Sequence, residues 1–380
     1  MPNKYGMLIG TATASYQVEG YRSIKEDKTD WGDAARRGRV PYVGTGPDHW
    51  RFYKRDLELM GKLGLNAYRF SIEPARIMPS EGKLDKGALL HYIDMLKVAK
   101  RNGITPIVNL SHYTLPKYVA DRGGFANEGA VLEFFKEYGE VIASAGFDFD
   151  YVLTINEPNV LAFAGYLMGL YPPFRCSPIA FERAWRAQTK VHKILYDMLK
   201  PYNYNISFAA SMVTYRWLFG LSPVLDELWN FNHLNNLKNK LDFISVNYYF
   251  DINLVNAIKN VFTLRHPFTN PAGLSDIMSR LHKRFRKPIL ISENGMHTSN
   301  DERRVQYLKR FIKIPYEAAD NGAEILGYLH WSFIDNYEWI FGYEKNYGIV
   351  GFDPVTKRRV VRNSAKLLGN VARSGLSAIN

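Results

Sequence analysis

Tyr151–Pro158 reads YVLTINEP, and Ile289–Gly295 reads ILISENG. Each is a short apolar run rich in β-branched residues that delivers a glutamate, Glu157 or Glu293, into a turn marked by Pro158 or by Asn294-Gly295. Such runs are short for helices and too uniformly apolar for strands with one wet face, so they read as parallel strands buried on both sides. Working outward, six further runs have the same character: Met7–Thr13, Ala67–Ser71, Thr105–Leu110, Ile206–Ala210, Phe243–Asn247 and Ile325–Trp331. Amphipathic stretches lie between them or after them: His49–Leu63, Leu89–Arg101, Ala130–Ser144, Val305–Asn321 and Asn363–Ala372. Strands alternating with helices predict βαβ units, and eight such units predict a closed (β/α)8 TIM barrel of the α/β class rather than an open sheet. Arg39–Asp48, rich in Gly and Pro, reads as a loop. No linker or low-complexity segment interrupts the chain, so residues 1–380 read as one catalytic domain.

The hydrophobic fraction of 46% supplies a large core. One cysteine, Cys176, excludes an internal disulfide and a cysteine–zinc ribbon. The N-terminus lacks the charged start and apolar core of a secretory signal, and no run reaches the roughly 20 apolar residues of a membrane span. The chain therefore reads as cytoplasmic. No phosphate loop, dinucleotide fingerprint or metal-ligand spacing appears, so neither cofactor nor metal is expected. The formal net charge is +12, with basic clusters at His282–Lys287 and Lys357–Arg362. Such clusters suit anionic surfaces, but no nucleic-acid-binding signature accompanies them, and they read as scattered solvated charge.

In a (β/α)8 barrel the active site lies at the C-terminal ends of the strands. Glu157 and Glu293 follow the fourth and seventh strands, across the mouth from each other. Two carboxyl groups so placed suit acetal cleavage, in which one protonates the departing oxygen and the other meets the oxocarbenium carbon. A separation of roughly 5–5.5 Å gives a covalent intermediate and retention, and roughly 6.5–9.5 Å admits water and gives inversion. Spacing in sequence leaves that gap open.

The chain also carries ATASYQVEG at 12–20, NAYRFSI at 66–72, His112-Tyr113-Thr114-Leu115-Pro116, Asn156-Glu157-Pro158, DFISVNYY at 242–249, ISENG at 291–295, WSFIDNYEW at 331–339 and YGIVGFD at 347–353. In this order the segments resemble glycoside hydrolase family 1 nearly end to end. The resemblance implies a retaining β-glycosidase of β-glucosidase type, acting on a small-molecule β-glycoside, with Glu293 as nucleophile and Glu157 as acid/base. It implies that Arg69 pairs with Glu293 and lowers its pKa, that Tyr249 donates to Glu293, and that Asn156 holds the sugar 2-hydroxyl. It further implies sugar contacts from Gln17, His112 and Glu338, a stacking floor from Trp331, and Trp339 beside Glu338. A bulky Trp339 favours an unphosphorylated sugar; glucosides, galactosides, fucosides and mannosides stay equally open.

Where the chain departs from the family pattern, the stretches from Glu157 to Asn247 and from Tyr249 to Glu293 are shortened, which predicts a more open aglycone side. Tyr113 and Pro74 stand where other residues are common, and both are expected to leave the chemistry untouched. Two alternatives accompany the main reading. One is a membrane-surface β-glycosidase for alkyl or lipid-like glycosides, motivated by the basic clusters and the apolar, Arg-bearing tail Val360–Ala372. The other is a non-catalytic carbohydrate-binding barrel.

Overall fold

The computed structural model describes residues 5–216, 221–253 and 269–379. Eight strands, β1 (Leu8–Ala12), β2 (Ala67–Ser71), β3 (Thr105–Asn109), β4 (Tyr151–Asn156), β5 (Asn205–Arg216), β6 (Ile244–Asn253), β7 (Ile289–Asn294) and β8 (Ile325–Trp331), pair in sequence order into a closed barrel. Every pairing is parallel, and β1 closes on β8 from Leu8↔Gly327 to Ala12↔Trp331. The (β/α)8 expectation therefore holds, and six of the eight strands lie within a few residues of their expected bounds.

Two strands run further than an apolar-run criterion allows. β5 was expected to stop at Ala210 and β6 at Asn247, yet they stay paired to Arg216↔Asn253. Ser211, Thr214 and Asp251 break the apolar run but keep the strand; all three are buried, and Thr214 shares a 3.1 Å hydrogen bond with the Tyr248 hydroxyl.

The barrel interior is filled by Ala12, Ala67, Ile107, Leu153, Ala209, Phe243, Leu290 and Leu329, and a larger apolar layer separates strands from helices. Helix His49–Leu63 has its expected bounds. Helix Lys86–Arg101 starts before Leu89 because Asp85 caps it, accepting from the Ala88 amide at 3.0 Å. The expected helix Val305–Asn321 is instead two, Asp301–Phe311 and Lys313–Asp320. Pro315 has no N–H for the Phe311 carbonyl, and its ring would clash there in a continuous helix.

The tail Val360–Ala372 is not one apolar unit. A hairpin of β9 (Val350–Phe352) and β10 (Arg359–Val361) precedes helix Asn363–Ser374, whose Ala365, Leu368, Val371 and Ala372 are buried. Its Gly369 lies so close to helix His49–Leu63 that an added Cβ would sit 1.9 Å from the Leu63 carbonyl oxygen. Each basic cluster is engaged internally in part. Arg284 makes two 2.7 Å bonds to Glu227, Lys287 meets the Leu241 carbonyl, and Arg362 pairs with Asp335. Among the described residues no helix is long and apolar enough to cross a membrane.

Arg359 forms the most buried of these pairs, holding Asp56 by two bonds of 2.7 and 2.6 Å while His49 Nδ1 lies 2.8 Å from the same carboxylate. Burial pushes the Asp56 carboxyl up, but Arg359 and His49 outweigh it and hold it below its usual range. Asp56→Asn leaves Arg359 buried without its counter-charge. The expected loss is about 3–5 kcal/mol at neutral pH, read by urea denaturation. A lowered carboxyl stabilises the fold above its unfolded pKa and stops doing so as pH falls through its folded one. The difference from wild type should therefore shrink below pH ~3.9; a gap that stays constant in acid refutes the assignment.

Candidate active site

The C-terminal mouth of the barrel holds a cavity of about 530 Å³, a size that suits a small ligand. Glu157 and Glu293 both line it, as do Gln17, His112, Asn156, Tyr249, Trp331, Glu338 and Trp339. Arg69 lies fully buried on β2 beneath them. All ten residues singled out in the sequence are therefore brought to one place.

Local irregularities aim these side chains. Register shifts interrupt the β4–β5, β5–β6, β6–β7 and β7–β8 ladders near their C-terminal ends. Asn247 pairs with Glu293 so that Ser292 is skipped, and Tyr249 is the extra residue between Tyr248 and Phe250. Bulges of this kind re-aim side chains at barrel rims. Glu157 leaves β4 in the left-handed region at φ 43°, and its amide donates to the Ala209 carbonyl at 2.8 Å. Gly295 keeps the chain after Glu293 close to β8, where an added Cβ would lie 1.9 Å from the Trp331 carbonyl oxygen.

The two glutamates have different partners. Arg69 Nη1 donates to Glu293 Oε1, and the Tyr249 hydroxyl donates to Oε2 at 2.9 Å. Glu157 receives Asn247 Nδ2 on Oε1 at 2.9 Å and the Tyr113 hydroxyl on Oε2. The pairs are joined through Asn156, whose Oδ1 accepts from Arg69 Nη2 at 2.6 Å and Asn247 Nδ2 at 3.1 Å. Asn156 turns its amide nitrogen to His112 Nε2 at 3.1 Å. Burial holds His112 well below its usual pKa, so the ring is neutral, and its Nδ1 lies 3.2 Å from the Asn109 amide nitrogen.

Burial raises both catalytic-site carboxyls above the usual glutamate range. Arg69 does oppose this at Glu293, as expected, but the net direction is upward because taking the carboxylate out of water outweighs the pairing. The net lowering expected of Glu293 is thus corrected, while the contrast survives: Glu293 sits against a full cation, and Glu157 chiefly against neutral donors.

A sugar-sized half of the cavity presents polar atoms. Gln17 donates Nε2 to the Tyr337 carbonyl at 2.6 Å and to Asn336 at 3.0 Å, which leaves its buried Oε1 without a protein partner. Trp331 donates Nε1 to Glu338 Oε1 at 3.1 Å. Burial lifts Glu338 to about 8. The other half is apolar: Val213 and Tyr215 from β5, Phe250 and Ile252 from β6, with Val160, Phe163, Leu225 and Trp229. Here the expectation of an open aglycone side is amended. The extended β5–β6 ladder forms a wall where shortened connections left room, although 217–220 and 254–268 of those connections lie outside the described residues.

Several residues of the site escaped the sequence reading. Asn247 stood at the expected end of the sixth strand, and the end-of-strand rule would have found it. Tyr113 was expected to leave the chemistry untouched; instead it touches Glu157 directly. Pro74 does not line the cavity and opens the short helix Pro74–Ile77.

A closed parallel barrel with two buried carboxyls converging at its C-terminal mouth defines the class of barrel glycoside hydrolases. The sequence model of glycosyl hydrolase family 1 matches residues 2–205 and 258–375, and the chain belongs to that family. Among its relatives, a β-glucosidase A of Thermotoga maritima is 29% identical over 436 aligned positions, covering 97% of both chains. A β-galactosidase of Sulfolobus acidocaldarius is 29% identical over 465 positions, covering 97% of this chain and 94% of its own. These alignments exceed the 380 residues present here, so the relatives carry insertions, in keeping with shortened loops. The solved β-glycosidase from Pyrococcus horikoshii superposes with a TM-score of 0.91 at 31% identity, covering 99% of this chain and 96% of that one.

Proposed function

We propose that the chain, acting as one catalytic unit, hydrolyses terminal β-D-glycosides of the β-glucoside type with retention of configuration. The observation that carries the assignment is the division of partners: Arg69 and Tyr249 on Glu293, Asn247 and Tyr113 on Glu157. A carboxyl beside a fixed guanidinium is the one that ionises first, so Glu293 is the nucleophile. Its charge in turn disfavours a second charge nearby, so Glu157 holds the proton. Glu293 attacks the anomeric carbon as Glu157 protonates the leaving oxygen. Ester formation removes the charge on Glu293, and Glu157 then accepts a proton from the attacking water.

The glycone lies against Trp331 with Gln17, His112, Asn156 and Glu338 on its hydroxyls, and the bulk of Trp339 favours an unphosphorylated sugar. The apolar half of the cavity supports an aryl or alkyl aglycone. That half also favours the second reading, a β-glycosidase for alkyl or lipid-like glycosides. Its membrane-surface element has less support, because Arg284, Arg359 and Arg362 of the basic clusters are engaged in ion pairs. The exposed free thiol of Cys176 accords with a reducing compartment such as the cytoplasm.

The test is a panel of nitrophenyl β-glycosides bearing glucose, galactose, fucose and mannose, together with octyl β-glucoside. Proton NMR of early product should show the β-anomer first. An α-anomer as first product would overturn retention, and no turnover of any member would leave the non-catalytic carbohydrate-binding barrel as the reading.

A further inference from the structure

Tyr113 follows β3 in the left-handed region, at φ 68°, a conformation that bulky residues adopt only when their surroundings impose it. Its ring is buried and held 5.0 Å from Trp339, 5.2 Å from His112 and 5.7 Å from Tyr171, centroid to centroid. The result is a phenol hydroxyl delivered to Glu157 Oε2.

The other oxygen of Glu157 has a one-way partner. Ser292 donates to Asn247 Oδ1 at 2.7 Å, which turns the Asn247 amide nitrogen onto Glu157 Oε1. An amide N–H only donates, so Oε1 accepts whatever the state of Glu157, and the acidic proton resides on Oε2. A hydroxyl, unlike an amide N–H, both accepts and donates. Tyr113 can therefore face a protonated Oε2 as acceptor and an ionised Oε2 as donor.

Resting on the acid/base role read for Glu157 above, we infer that Tyr113 is a positioning residue that fixes the proton to Oε2 and hydrogen-bonds that oxygen as it ionises. In the first half-reaction the Oε2–H bond breaks and its proton passes to the leaving oxygen, as the bond from that oxygen to the anomeric carbon breaks. Tyr113 donates to the carboxylate that appears. In the second, water loses a proton to Oε2 as its oxygen joins the anomeric carbon and the ester to Glu293 breaks, and Tyr113 releases its bond. A hydrogen bond to the charged form lowers a carboxyl pKa, and Tyr113 acts on Glu157 with that sign.

The other groups facing Glu157 are Arg69 from β2, Ser211 from β5, Tyr249 from β6, Glu293 from β7 and Tyr171 beyond β4. Of these only Arg69 and Glu293 are charged in the working range, since burial raises Tyr171 and Tyr249. Substituting Tyr113 leaves both charges in place.

The experiment is the pH profile of kcat/KM for Tyr113→Phe, which keeps the ring and removes the hydroxyl. Its alkaline limb should move up by about one pH unit. Its rate on alkyl glucosides should fall about tenfold, with dinitrophenyl glucoside little changed. Tyr113→3-fluorotyrosine, a stronger donor of nearly the same shape, should move the limb the opposite way, so the inference does not depend on how well the phenylalanine variant folds. An unmoved limb in both variants, or an equal loss on both leaving groups, overturns it and leaves Tyr113 a packing residue. Glu157→Gln separates this from failure of the underlying reading. If that variant keeps the alkaline limb, Glu157 is not the acid. If it loses the limb while the Tyr113 variants do not shift it, only the present inference fails.

Discussion

Glu293→Ala lowers kcat on a nitrophenyl β-glucoside by on the order of 10⁶-fold, the scale seen when a covalent nucleophile is removed, and added azide or formate restores part of the rate with an α-configured product. The size follows from what remains. Arg69 and Tyr249 keep their positions, but their joint acceptor is gone, so a buried guanidinium stands without a counter-charge. A small anion fits the space vacated by the side chain and is drawn by Arg69. It attacks from the face Glu293 occupied while Glu157 still supplies a proton, so one displacement occurs and configuration inverts. Product configuration is read by NMR and the rate by nitrophenol release. If azide instead gives an inverted product with Glu157→Ala and none with Glu293→Ala, the two roles are exchanged.

How much of this site could be read from sequence is best seen along single strands. The identity of the two glutamates was legible because barrel topology puts strand ends at the functional face, and YVLTI and ILIS each run into a glutamate. Their direction was not. Leu290 fills the barrel interior, whereas Ile289 and Ile291 pack outward against the helices. Strict two-residue alternation would send Glu293 outward with them. The skipped Ser292 reverses the alternation and turns Glu293 into the cavity. The same reversal occurs on β6, where Asn247 reaches Glu157 and Tyr249 lines the cavity and, past the bulge, Phe250 and Ile252 do. β5 has no such reversal among its inward residues: Ala209, Ser211, Val213 and Tyr215 hold one face throughout. A bulge is one residue of register with no fixed sequence signature, so the apolar wall and the contact of Tyr113 with Glu157 needed the fold. The pKa of Glu293 shows a similar limit. Its partner Arg69 was legible, but the depth of burial that outweighs that partner is a property of the closed barrel.

Removing the other carboxyl separates its two duties. Glu157→Ala should cost about 10²–10⁴-fold in kcat/KM for alkyl glucosides, the usual worth of a general acid. A dinitrophenyl glucoside, whose leaving group departs without a proton, should form the glycosyl–enzyme at nearly the wild-type rate. Water attack on that ester then lacks its base, so a burst of dinitrophenol precedes a slow steady state. Azide needs no base and enters by the face where Glu157 stood, so it accelerates the second step and yields a β-glycosyl azide. Retention here and inversion with Glu293→Ala form a pair of signs that neither a folding defect nor a general loss of binding reproduces. The fold itself should tolerate the change. Burial is what raises the Glu157 carboxyl, so its removal relieves a desolvation cost while leaving the neutral donors Asn247 and Tyr113 beside a cavity open to water. An equal loss on both leaving groups, without a burst, would mean that Glu157 is not the proton donor and that another cavity group, with Glu338 foremost, performs that step.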